Sequence, residues 1–129
     1  MTGPRYNNLD ITPTQVALEL LELSRQLAAA VADFDQIEQD VVNADKAHAD
    51  AKAKWMLQCR YEDDLTSADL RDAWVHNRIG NEVLARDTAR AVVRARKLRI
   101  ETIKTRVTIG QTVCNALQSE LDLQRLRSR

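Results

Sequence analysis

The sequence predicts an all-α protein: a long antiparallel helical hairpin, coiled-coil-like, two copies of which assemble into a four-helix bundle. Three observations predict it. The 129-residue chain holds only three Gly and two Pro. The turns that a sandwich or barrel needs every ~10 residues are therefore missing. Apolar residues instead recur in alternating steps of four and three over roughly six heptads. The formal charge is zero, yet residues 1–73 sum to −7 and residues 74–129 to +7, so the two halves attract one another.

Residues 1–11 read as a flexible N-terminal arm. A single helical-hairpin domain follows over 12–127. Thr12 is placed as an N-cap, Pro13 at the first helical position and Gln15 as the return partner of a capping box. The first seam comprises Val16, Leu20, Leu23, Leu27, Ala30, Phe34, Ile37, Val41, Ala44, His48, Ala51 and Trp55. No Gly or Pro interrupts it, so one helix is expected over 13–61. At ~1.5 Å per residue it would reach about 70 Å, which requires a partner of similar length.

Glu62, Asp63 and Asp64 open the expected turn, 62–66. Thr66 or Ser67 caps a second helix over 67–126, with Asp69 favourable to its N-terminal dipole. Gly80 is the one candidate break, since Gly costs about 1 kcal/mol relative to Ala inside a helix. One seam of this helix runs Val93, Ile100, Ile103, Val107, Gly110, Cys114, Leu117 and Leu121. A different stripe runs Leu70, Trp74, Asn77, Asn81, Leu84, Thr88, Ala91, Ala95 and Leu98. Two stripes on one helix imply two neighbours. Self-association is therefore expected, with an oligomer interface at Trp55, Val93, Ile100, Val107, Gly110, Cys114 and Leu117.

Chemistry-bearing residues are sparse. Cys59, Cys114, His48 and His76 are zinc-ligand types, but they lack CxxC or paired-His spacing. His48 reads as a polar residue that sets register or lies near the hairpin end, and Cys114 as a small seam residue. The Glu62–Asp64 run reads as a solvated turn. No nucleophile–base spacing and no Gly-rich phosphate loop is present. The expectation is a protein that is not an enzyme and uses no cofactor and no metal. Two cysteines, a polar start and no long apolar run point to the cytoplasm and away from a membrane. The strongest polar signal is Arg86, Arg90, Arg94, Arg96, Lys97, Arg99, Lys104 and Arg106, of which Arg86, Arg90, Arg94, Lys97 and Lys104 form a basic stripe on one helix face. It reads either as candidate nucleic-acid contacts or as the partner of Asp33, Asp35, Glu38, Asp40 and Asp45 on the first helix.

The stretch Arg106-Val107-Thr108-Ile109-Gly110-Gln111-Thr112, followed by Asn115-Ala116-Leu117-Gln118-Ser119-Glu120, resembles the C-terminal helix of small helical proteins encoded by phages and prophages of Actinobacteria. In those proteins an acidic residue is common where Thr108 stands. The resemblance covers about the last quarter of the chain well and the rest in outline. It implies a source, a host bacterial cytoplasm and a helical architecture, and carries no mechanism with it. The expected function is an accessory, oligomeric helical module. It would bind itself and a protein of the host or of the phage replication and recombination machinery, with nucleic-acid binding as the alternative.

Overall fold

Thr12 starts the first helix by satisfying two orphan groups at once. Its Oγ1 accepts from the Gln15 backbone N–H at 3.2 Å, and its own N–H donates to Gln15 Oε1 at 3.0 Å. From here the computed structural model describes residues 12–128; the expected arm over 1–11 lies outside them. Four helices follow: α1 (Pro13–Ala32), α2 (Phe34–Cys59), α3 (Ala68–Arg78) and α4 (Gly80–Arg127). The protein is all-α, with no strand among the described residues. No helix among them is long and apolar enough to cross a membrane.

The expected helix over 13–61 is two helices. The interruption falls on Asp33, at φ −110° and ψ 13°, between α1 and α2. Neither Gly nor Pro is involved, and the preceding residues 28–32 are Ala apart from Val31, so local propensity favours continuation. A distant partner accounts for the break. The Asp33 carboxylate makes no capping bond within α2 and accepts instead from the Arg96 guanidinium. The connection after α2 is also longer than the expected 62–66, because α2 stops at Cys59 and α3 starts at Ala68. Ser67, the second of the two candidate caps, accepts from the Leu70 N–H at 3.2 Å.

The second expected helix is divided as well, at Ile79. Its backbone (φ −106°, ψ 18°) closes α3 by an N–H bond to the Val75 carbonyl, and its carbonyl accepts from Val83 to open α4. The division thus falls beside Gly80, the candidate break, which is itself the first residue of α4. Burial explains the position: Ile79 turns into an apolar cluster with Cys59 and Val75, against which Ala51, Trp55, Leu65, Trp74 and Val83 pack. Only a few buried side chains hold this cluster, each contributing about 1.5–3 kcal/mol.

Contacts divide the chain into two compact units, one made of residues up to Ala32 with Lys97 onward, the other Asp33–Arg96. In the first unit, α1 buries Val16, Leu23 and Ala30, and α4 buries Ile100, Ile103 and Gly110. In the second, α2 and the first half of α4 run antiparallel: Asp33 meets Arg96, Asp45 meets Arg90 and His48 meets Arg86.

A Cβ built on Gly80 meets nothing within 4 Å, and its φ is not positive. Gly80→Ala is therefore expected to stabilise the protein by about 0.5 kcal/mol, by restricting the unfolded chain. Chemical denaturation checks this, and a lower midpoint would contradict it.

Candidate interaction surfaces

The seam assigned to contact between copies belongs to the chain's own fold. Ile100 and Gly110 are buried within the first unit, where Val107, Cys114 and Leu117 are half-buried. Val93 and Trp55 are half-buried within the second unit. Within one chain, then, Ile100 and Gly110 are covered, and the other five positions expected at an interface between copies are half-buried.

Trp55 has a particular partner. Its ring meets that of Trp74 edge-on, with centroids 5.9 Å apart and planes at 74°. The Arg78 guanidinium lies 4.7 Å from the Trp74 ring centroid and 5.4 Å from that of Trp55, and Lys54 Nζ lies 4.9 Å from Trp55. This group ties α2 to α3 by quadrupole attraction as well as by burial. Sequence reasoning overlooked Arg78. Its signal was the four-residue step from Trp74 on one helix face.

The basic stripe is largely spent on the chain itself. Arg90 Nη2 donates to Asp45 Oδ1 at 2.9 Å. Arg86 donates from Nε to Asp87 at 3.2 Å, and its Nη1 lies 3.2 Å from His48 Nε2. A guanidinium only donates, so in that contact the imidazole nitrogen accepts. His48 is half-buried in the α2 seam and meets α4 through this bond. Lys104 lies 3.9 Å from Glu101 on its own helix. Arg94 and Lys97 are exposed. Arg96, outside the stripe as read, makes the closest ion pair, to Asp33. Of the five acids expected opposite the stripe, Asp33 and Asp45 are the two that meet it or its neighbour.

The other candidates are kept apart. Cys59 is buried in the cluster of the second unit, and Cys114 is half-buried in the first. Glu62, Asp63 and Asp64 are exposed. Among the described residues no group of three His, Cys, Asp or Glu side chains is placed to hold a metal ion. Glu82 Oε2 is buried without a hydrogen-bond partner, in the first turn of α4, where the helix dipole favours negative charge.

Open grooves mark the second unit. A wide one, about 1030 Å³, is lined by Met56, Cys59, Leu65, Arg71 and Val75 among others. Two smaller ones follow. One, about 540 Å³, is lined by Ile37, Asp40, Asn81, Leu84, Ala85, Thr88, Ala89 and Val92. Its walls are apolar, and Leu84 and Val92 stand 67% and 43% exposed. The other, about 650 Å³, gathers His48, Lys52, His76 and Arg86 with Asp72 above a floor of Met56, Val75, Ile79 and Val83. No family model, no curated protein and no solved structure matches this chain.

The Asp33–Arg96 contact has a pH signature. The hydrogen bond from Arg96 holds the Asp33 carboxyl below its ordinary value of 3.8; desolvation opposes this and charge attraction to Arg96 adds to it. A depressed folded value means that the contact stabilises above the unfolded value and is lost as pH falls through the folded one. Wild type is expected to exceed Asp33→Asn in denaturation midpoint at pH 7, the gap closing as pH falls below the ordinary carboxylate value. The gap is small, because Asp33 is exposed and solvent screens the pair. A gap that does not change with pH would contradict this assignment.

Proposed function

We propose that this chain is a non-enzymatic, oligomeric helical interaction module that acts by binding another protein, of the host or of a phage. The resemblance of the 106–120 stretch supports the phage or prophage setting. The observation that carries the binding reading is the groove lined by Ile37, Leu84, Ala85, Ala89 and Val92, with Asp40, Asn81 and Thr88 among them. Its lining comes from α2 and α4, is mainly apolar, and includes small alanines. That shape and chemistry suit the apolar face of a partner helix, which would enter with residues three and four apart. Leaving Leu84 two-thirds exposed gains nothing for the fold, and a buried leucine contributes about 1.5–3 kcal/mol.

Nucleic-acid binding is the second reading. It rests on Arg94, Lys97, Arg99, Lys104 and Arg106, which are exposed, while Arg86 and Arg90 are engaged within the chain. Such cations would give a steeply salt-dependent affinity.

The test is capture from producing cells by the tagged full chain. Wild type is expected to retain a defined protein partner. Leu84→Ser with Val92→Ser is expected to lose it, with the helical circular dichroism unchanged. Equal retention by both would overturn the groove as the site. A gel shift at low salt that disappears in Arg94→Glu would favour the second reading.

A further inference from the structure

The side of α4 facing away from the seam carries another run of three- and four-residue steps. Within the first unit its members are Leu98, Thr102, Thr105, Ile109, Thr112, Ala116, Ser119, Leu123 and Leu126. None bears a charge and all are exposed; Leu98 stands at 70%, Ile109 at 49%, Leu123 at 48% and Leu126 at 67%. At ~1.5 Å per residue the run is about 40 Å long. Charged residues occupy the positions beside it, such as Arg99, Glu101, Arg106, Glu120, Asp122 and Arg127. A solvated face has no physical reason to exclude charge from every heptad core position while accepting it next door. An interface does.

The threonines fit an interface too. The hydroxyls of Thr102, Thr105 and Thr112 donate to the carbonyls of Leu98, Glu101 and Thr108, four residues back, at 2.9, 2.9 and 3.0 Å. Each donor is already satisfied inside the helix. Covering these side chains therefore buries methyl groups and strands no polar hydrogen.

The flanking charges identify the occupant. With Thr102, Ile109, Ala116 and Leu123 at a and Leu98, Thr105, Thr112, Ser119 and Leu126 at d, the g positions include Glu101 and Asp122. The e positions include Arg106 and Arg127. In a parallel, in-register pair each g residue meets the following e residue of the other helix. Glu101 then meets the partner's Arg106, and Asp122 meets the partner's Arg127. The remaining g–e pairs within the run, Thr108 with the partner's Val113 and Asn115 with the partner's Glu120, set no like charges together. Reversing one copy to place Arg106 against the partner's Glu120 brings Arg99 against the partner's Arg127. β-Branched Thr102 and Ile109 at a suit two strands. Within the chain Glu101 and Asp122 have only exposed ion partners, Lys104 at 3.9 Å and Arg125 at 3.8 Å. Such pairs are weak and readily exchanged.

The geometry points to a homodimer in which residues 98–126 of α4 pair, parallel and in register, with the same stretch of a second copy. It rests on the interaction reading above and concerns residues 98–126 rather than the Leu84–Val92 groove, so the two can fail separately.

Light scattering on the full chain, across micromolar to sub-millimolar concentrations, should give twice the 14.6 kDa chain mass. Leu98→Asp with Ile109→Asp should give the monomer mass at unchanged helicity. Arg106→Glu should raise the dimer Kd about tenfold by making both Glu101 contacts repulsive. Adding Glu101→Arg should restore it, a rescue that no contact within the chain supplies. Thr105→Cys should cross-link to itself on oxidation beyond a wild-type control, which accounts for Cys59 and Cys114. A monomer at every concentration overturns the dimer and leaves groove binding standing. A dimer indifferent to Arg106→Glu, or one that Thr105→Cys does not link, overturns the proposed register. If the aspartate variant fails to fold, the charge swap and the cross-link still decide.

Discussion

One apolar stripe per helix has to be covered along its whole length, and the rest of this fold depends on that constraint. Val16, Leu23 and Ala30 on α1, with Ile100, Ile103 and Gly110 on α4, are the buried residues of their unit. A two-helix unit has no third layer in which to bury anything else. Its stability is therefore spread thinly and lengthwise. Small seam residues such as Ala30 and Gly110 let backbones approach where a leucine would hold them apart.

In the second unit the stripe is interrupted by polar rungs. Asp33–Arg96, Asp45–Arg90 and His48–Arg86 occur where α2 and α4 pass one another. They are exposed or half-buried, so each adds little stability. Their use lies in register: sliding either helix by one turn would separate all three together. The opposite net charges of the two halves of the sequence thus have a local outcome. Much of the basic stripe is already satisfied within the chain, and this lowers the charge left to attract nucleic acid.

With the seam closed by the chain itself, the surface that remains is informative. The Leu84–Val92 groove is largely apolar, and the outer side of α4 over residues 98–126 is exposed and uncharged. The first has the chemistry of a helix-binding groove, and the second carries flanking charges of both signs.

Composition and periodicity alone were enough for the all-α class, the Thr12–Gln15 cap and a helix start at Thr66 or Ser67. These follow from local geometry and from the spacing of side chains along one axis. Other features needed the folded chain. The break at Asp33 carries no Gly or Pro and coincides with a contact to an arginine 63 residues away. The break at Ile79 lies beside Gly80, where burial against Cys59 and Val75 fixes its position. Which α4 stripe faces inward was equally hidden. A heptad pattern shows that a ridge must be covered, but any ridge of the same spacing can cover it, so only the tertiary arrangement selects between the chain's own helix and another molecule.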